Sequence, residues 1–319
     1  MMRSPVRERL AFLIVGTPRS GTTLVQRLAT ELPDVRVPPE THFFDLVAAG
    51  LLRRRRFPLS PRELHDEIRS YLDLRTSRGM SVQPEEIASL LDGECASPVD
   101  LFAAITQALA GDGGALLGEK TPTHLLWWKP ISRALPSIRI VAVVRDPRAV
   151  VNSYATAPFG MSSHVALAER WSADQRLVLA AREQLGSERV LVLRYEDVVA
   201  SPDGARGRMA SFLGIEMSDG TQASEPAMPL FMPWEEWKRP AIGPIVRDRV
   251  DAWRASLSRR QIGAIEWVCQ REMRIFGYEP DEGGRGLLSH VLSPADRWRR
   301  RHFRLARASM MREIEATTL

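Results

Sequence analysis

The sequence predicts an α/β fold: a doubly wound parallel sheet with flanking helices. Three observations carry that reading. Apolar runs at 10–15, 138–144 (broken only by Arg139) and 190–193 have the composition of strands buried on both faces. Segments of helical character separate them, and such alternation is the pattern of right-handed βαβ crossovers. The first run ends in a turn rich in Gly, Pro, Ser and Thr that opens directly into a helix.

The elements follow in order. The run at 10–15 stops at Gly16, and a helix over 23–32 is ended by Pro33. A short strand at 35–37 runs into Pro38-Pro39. Residues 45–110 read as several helical pieces punctuated by Pro58, Pro61, Pro84 and Pro98. A strand at 115–117, a helix near 125–135 and the strongest strand, 138–144, resume the alternation. Helices over 147–156 and 165–185 precede the strand at 190–193, and helices at 202–213 and 258–276 come after it. The Pro- and Trp-rich stretch 226–253 reads as loop, and 294–315 as a basic terminal helix. The expected organisation is one domain over 1–280, with 45–110 as a helical insertion on the acceptor side, and a basic helical tail over 281–319. That tail reads as a solvated or oligomer-forming surface, with membrane-surface contact a lesser alternative.

At 319 residues, 44% hydrophobic and 26% charged, the chain has the composition of a globular protein and not of a disordered one. Two cysteines, Cys95 and Cys269, exclude a disulfide framework and a Cys-rich metal site. No early apolar run approaches the roughly 20 residues a membrane span needs, and none has a secretory cleavage pattern. The expectation is a cytoplasmic, reduced protein. The net charge of +5, with Arg far outnumbering Lys, suits anionic ligands. The basic runs lack interleaved aromatics, so no nucleic-acid partner is expected.

Gly16-Thr-Pro-Arg-Ser-Gly21-Thr22-Thr23 has P-loop spacing between a buried strand and a helix. Its glycines let successive N–H groups turn inward, and the helix N-terminus adds partial positive charge. A nucleoside triphosphatase needs Lys after the second glycine; here Thr22 stands there, and the cation is Arg19 inside the loop. Such a loop suits a short phosphate chain held without a metal.

Arg145 ends the strongest strand in Val-Arg145-Asp-Pro147, where open α/β sheets place ligands, and Ser153 and Tyr154 follow on the next helix. Together these pieces resemble the 5′-phosphosulfate loop and the 3′-phosphate motif of sulfotransferases that use 3′-phosphoadenosine-5′-phosphosulfate (PAPS). Arg194-Tyr195-Glu-Asp197 is similar to a later signature of the same family. The resemblance spans about residues 10–280 and implies the P-loop, nucleotide-kinase-like sulfotransferase fold. It implies that Arg19, Ser20, Gly21, Thr22 and Thr23 hold the 5′-phosphosulfate. It gives Arg145 and Ser153 the 3′-phosphate, with Tyr195 approaching the adenine and Arg247 or Arg249 as a third cationic contact. Adenosine 3′,5′-bisphosphate (PAP) is the implied product, and no metal is required.

For the general base, Glu40 in Pro-Pro-Glu40-Thr-His42-Phe-Phe resembles the strand end of carbohydrate sulfotransferases. Gly-Glu119-Lys120-Thr-Pro resembles the segment whose Lys orients the base and sulfuryl group. His124, two residues out of the spacing of small-molecule sulfotransferases, is the rival base. Glu40 is the expected base, with Lys120 and Arg19 countering negative charge; two such cations should depress its pKa. His42 is expected to be structural or acceptor-facing. Trp127, Trp128, Trp234 and Trp237 are candidates to line the acceptor pocket. The implied reaction is sulfuryl transfer to a hydroxyl of a small molecule, glycan or glycolipid. The alternatives are an ATP-dependent phosphotransferase and a non-catalytic nucleotide- or glycan-binding protein.

Overall fold

Five parallel strands form one sheet in the order β2-β3-β1-β4-β5 in the computed structural model, which describes residues 5–74, 82–91, 95–111, 116–155, 157, 163–217, 229–281 and 293–319. The strands are β1 (Leu10–Gly16), β2 (Val35–Arg36), β3 (Leu116–Lys120), β4 (Arg139–Val144) and β5 (Val190–Arg194). Ile14 of β1 lies opposite Lys120 of β3, and Gly16 opposite Val143 of β4, so the three central strands end together. The chain leaves β1 toward β2 on one side and later crosses to β4 on the other. The crevice at that switch point is the ligand position of open α/β sheets.

The helices are α1 (Pro5–Arg9), α2 (Thr22–Thr30), α3 (Ala49–Arg54), α4 (Pro61–Leu72), α5 (Pro84–Ser89), α6 (Pro98–Ala110), α7 (Trp128–Ala134), α8 (Pro147–Ala155) and α9 (His164–Leu185). After β5 come α10 (Tyr195–Ala200), α11 (Pro202–Leu213), α12 (Trp253–Ser256), α13 (Arg259–Ile275) and α14 (Pro294–Glu315). Several start alike: a Ser cap followed by Pro opens α4, α6, α11 and α14, because the first helical N–H needs no partner.

Period-two alternation splits the strand residues between two cores. Phe12, Ile14, Val141, Val143 and Leu193 pack with Leu24, Val25 and Leu28 of α2 and Met209 of α11. Leu13, Val15, Ile140, Ala142 and Val144 pack on the other face with residues of α6, α9 and α13. Both faces are therefore covered, which is why these strands read as continuous apolar runs. The close approach within the first core fixes Gly118: a Cβ there would lie 2.3 Å from the Phe12 ring.

Three segments differ from the sequence reading. The helix expected near 125–135 is a 3-10 turn, Pro122–Trp127, followed by α7. Pro130 has no N–H to donate, so a helix can include it only in its first turn, and α7 restarts at Trp128 accordingly. The helical block after 44 opens as a π-turn, Phe44–Ala48. The loop expected at 226–253 contains two 3-10 turns, Glu236–Ala241 and Arg247–Arg249. Parts of the expected elements lie outside the described residues: 75–81, 92–94, 115, 156, 226–228 and 282–292.

The C-terminal helix is docked. Glu169 of α9, fully buried, accepts hydrogen bonds from Arg300 and Arg304 of α14, Arg307 pairs with Asp174, and Ile314 is buried. Among the described residues no helix is long and apolar enough to cross a membrane.

Candidate active site

The turn after β1 curls through backbone positions that suit its two glycines, Gly16 and Gly21, and that Arg19 takes against the usual preference of an L residue. Arg19 and Gly21 have φ of 74° and 94°, and a Cβ on Gly16 would come within 2.4 Å of the Val143 carbonyl oxygen. Gly21 lies against the Tyr195 ring, and a Cβ on it would fall 2.3 Å from the ring's Cδ2. Gln175 of α9 donates to the Thr17 hydroxyl at 3.0 Å, and the Ser20 N–H donates to the Thr17 carbonyl at 3.1 Å. The turn is held from behind while its inner side faces a cavity of about 640 Å³. That volume suits a drug-sized or nucleotide-sized ligand.

Four cationic or polar groups converge there. Arg19 Nε donates to Ser153 Oγ at 3.0 Å. Arg145 donates to the carbonyls of Arg19 and Arg249, at 3.2 and 2.7 Å, and its guanidinium stacks 4.2 Å from the Tyr195 ring centroid. The Trp171 indole N–H holds the Arg145 carbonyl at 2.9 Å. Burial, and then the neighbouring Arg145 charge, lowers the proton affinity of Arg19. Arg145 Nε and Ser20 Oγ are buried without a hydrogen-bond partner among the described residues. Crowded cations and orphaned donors around an N-terminal turn fit an anionic, phosphate-like group.

The other wall carries a charge cluster centred on Glu40. Its Oε1 meets two ammonium groups, Lys120 Nζ and, at 2.7 Å, Lys238 Nζ; its Oε2 meets His42 Nε2 at 3.0 Å. Lys238 also pairs with Glu235 Oε1 at 2.5 Å, and Glu235 Oε2 accepts from the Met232 N–H at 3.0 Å. Behind His42, Asp45 lies 3.5 Å from Nδ1 and accepts from the Thr123 hydroxyl. Burial alone would raise the Glu40 pKa, but Lys120, Lys238 and His42 outweigh it and hold the carboxyl well below its ordinary range. Burial opposes protonation of His42 too, yet Asp45 and Glu40 raise its pKa from 6.5 to about 9. Lys120, fully buried, is lowered to about 8 by desolvation in spite of Glu40. Glu40, His42 and Glu235 lie close enough together to ligate a metal ion, but Lys120 and Lys238 already present cations to the carboxylates.

The candidates from sequence therefore fall into groups. Arg19, Gly21, Thr22, Thr23, Arg145, Ser153, Tyr195 and Glu40 line the one cavity, as do Trp234 and Trp237. Ser20 and Lys120 sit directly behind its wall, Lys120 Nζ lying 3.4 Å from the Thr23 hydroxyl. Arg249 lines the cavity, whereas Arg247 points away and donates to the Ala200 carbonyl at 3.1 Å. His124 is fully buried with both ring nitrogens engaged, Nδ1 on Glu119 at 2.9 Å and Nε2 accepting from the Phe44 N–H at 3.3 Å. Neither nitrogen faces the cavity. Trp127 and Trp128 are core residues, and no described residue of 45–110 lines the cavity apart from the loop end at His42 that precedes it. The helical block instead packs into the core beneath β3.

Lys238, Glu235 and the charged state of His42 escaped the sequence reading. One signal was available: only three of the 44 Lys+Arg positions are Lys, namely 120, 129 and 238, and two of those converge on Glu40.

Comparison with known proteins returns sulfotransferases. The family model described as "Sulfotransferase family" matches residues 11–219. Protein-tyrosine sulfotransferase 2 of Gallus gallus is 27% identical over 218 residues, covering 67% of this chain and 53% of that protein. Carbohydrate sulfotransferase 3 of Tetronarce californica is 25% identical over 172 residues, covering 45% of this chain and 36% of the relative. The chain thus spans about half the length, or less, of these relatives. Among solved structures, the sulfotransferase domain of the Synechococcus PCC 7002 olefin synthase superposes with a TM-score of 0.58 at 21% identity, covering 85% of this chain and 94% of that domain. The family match takes in well over half the residues, from β1 past the end of α11, and on that ground the chain belongs to the sulfotransferase family.

Proposed function

We propose that this chain moves a sulfuryl group from PAPS to a hydroxyl of a small molecule, glycan or glycolipid, with Glu40 as general base. One observation carries the reading: the anion-shaped turn with Arg19, the Arg145–Ser153 corner and the Glu40 cluster share one cavity. Arg19 and the N–H groups opening α2 would hold the 5′-phosphosulfate. Arg145, Ser153 and Arg249 would hold the 3′-phosphate, with Tyr195 beside the base. PAPS, when bound, supplies an activated sulfuryl group on a phosphate leaving group. Glu40 would take the proton of the acceptor hydroxyl, while Lys120 and Arg19 balance charge near the reacting centre. His124 is not the proposed base, since its two nitrogens are already engaged.

Trp234 and Trp237 on the 229–253 loop supply flat apolar surface for the acceptor, of the kind sugars and aromatic rings stack on. A phosphotransferase reading has little support here. Thr22 stands where the P-loop lysine would be, and Asp146, at the end of β4, is clamped by Arg148 through both oxygens.

The test is transfer of radiolabelled sulfate from PAPS to a panel of phenolic and sugar hydroxyls. Arg19→Ala and Arg145→Ala should abolish it by removing nucleotide binding. Transfer that survives in both variants contradicts the proposal.

A further inference from the structure

We propose that Lys238 is a removable cap on the base: it neutralises Glu40 while the cavity lacks donor, and moves to the sulfuryl oxygens when the donor is bound. The inference rests on the sulfuryl-transfer reading above and adds to it a residue that the motifs do not contain.

Two ammonium groups share Glu40 Oε1, and they differ in freedom. Lys120 belongs to β3, is fully buried, and rests against Thr23 behind the cavity wall. Lys238 lines the cavity itself and sits on the 3-10 turn Glu236–Ala241. Its turn is tied to the nucleotide side of the site: Arg27 of α2 donates to the carbonyls of Ala241 and Gly243 at 3.0 and 2.8 Å. Glu235, anchored by the Met232 N–H, gives Lys238 a second carboxylate 2.5 Å away. The ammonium can therefore leave Glu40 without losing every counter-charge. Among the described residues, Lys120 has no second carboxylate within ion-pair distance.

The cap also answers a chemical difficulty. Glu40 is faced by Lys120 from β3, by Lys238 with Glu235 from the 229–253 loop, and by His42 from its own segment with Asp45 behind. Arg19 adds its field from the turn after β1. A carboxylate so surrounded accepts a proton poorly. Withdrawing one cation restores its basicity, and the same cation then meets the charge developing on the transferring group. The step balances. Glu40 takes the hydroxyl proton as the acceptor oxygen–sulfur bond forms. The bond from sulfur to the bridging phosphate oxygen breaks, and its electron pair leaves with PAP. Glu40 afterwards returns the proton to solvent, and Lys238 returns to Glu40.

The experiment follows Glu40 by carbon-13 NMR of labelled glutamate carboxyls, the signal being assigned by its loss in Glu40→Gln. Without nucleotide, Lys238→Met should raise the Glu40 midpoint by roughly one to three pH units, tenfold or more in proton affinity. With PAPS bound, the same substitution should change the midpoint far less, because Lys238 has already moved. Lys238→Arg should keep the nucleotide-free midpoint low, and Lys120→Met should raise it equally in both states. Calorimetric binding of PAP reports that the variants are folded, and Lys238→Gln replaces the methionine variant if that one is not. Equal shifts with and without PAPS, or none in either state, overturn the cap. Failure of PAPS to bind the wild-type protein overturns the transfer reading instead, and the cap with it.

Discussion

Glu40 shows how much of a residue's chemistry comes from what surrounds it. The same carboxylate at an exposed strand end would be an ordinary acid; beneath Lys120, Lys238 and His42 its charged form is favoured. Glu40→Gln keeps the shape and removes the base. Transfer should fall by about 10²–10⁴-fold while PAP binding stays within a few-fold of wild type. A variant that keeps full turnover rules Glu40 out as base, and rate measurements beside calorimetry separate the outcomes. Gly21→Ala tests the opposite wall. Its φ of 94° and the Tyr195 ring 2.3 Å from the new Cβ leave no room, so the ring or the turn must shift. The expected result is weakened PAP binding with the fold retained; unchanged affinity would mean that the turn does not hold the nucleotide.

At the level of elements, α14 acts as a brace. Glu169 and Asp174 lie on α9, whose Trp171 and Gln175 hold the Arg145 carbonyl and the Thr17 hydroxyl of the site. Removing both arginines, Arg300→Ala with Arg304→Ala, leaves the buried Glu169 carboxylate without its counter-charge. The cost should be about 3–5 kcal/mol in chemical denaturation, with part recovered by adding Glu169→Gln. An unchanged midpoint would show that the pairs are dispensable. The strands were legible in sequence because burial on both faces writes a continuous apolar run, as in 140–144. The turn after β1 was legible because its glycines meet local backbone demands. The whereabouts of the 45–110 helices were not, since helical periodicity says that a face is buried without saying against what. Lys238 was hidden for a related reason: 118 positions separate it from Lys120, and only the folded chain brings both onto one oxygen. Local spacing kept His124 as a rival to Glu40, and the direction each side chain faces across the turn at 122–127 separates them.

On the scale of the whole molecule, the site's charges couple folding to pH. A His42 pKa raised from 6.5 to about 9 means the folded state binds its proton more tightly. That contribution is complete below pH 6.5 and is lost as pH rises toward 9. Lys120, lowered to about 8, works in the opposite sense above that value. Glu40, depressed, contributes stability above its ordinary range and loses it as pH falls through its folded value. Thermal and urea unfolding should therefore show a decline of up to about 2 kcal/mol between pH 6.5 and 8, and His42→Gln should flatten that limb. A limb that persists in His42→Gln assigns it to another group. The proposed binding mode engages the whole cavity: an adenosine nucleotide would be held by phosphates at two positions, 5′ at the turn after β1 and 3′ at Arg145. Calorimetric titration of the wild-type protein and Arg145→Ala with PAP and with ADP tests it most directly. PAP should bind the wild type at least about tenfold more tightly than ADP, and Arg145→Ala should erase that preference, as expected for a charge-assisted contact worth roughly 1.5–3 kcal/mol. Equal affinity for the two nucleotides, or no binding of PAP, would rule out a 3′-phosphate contact at Arg145.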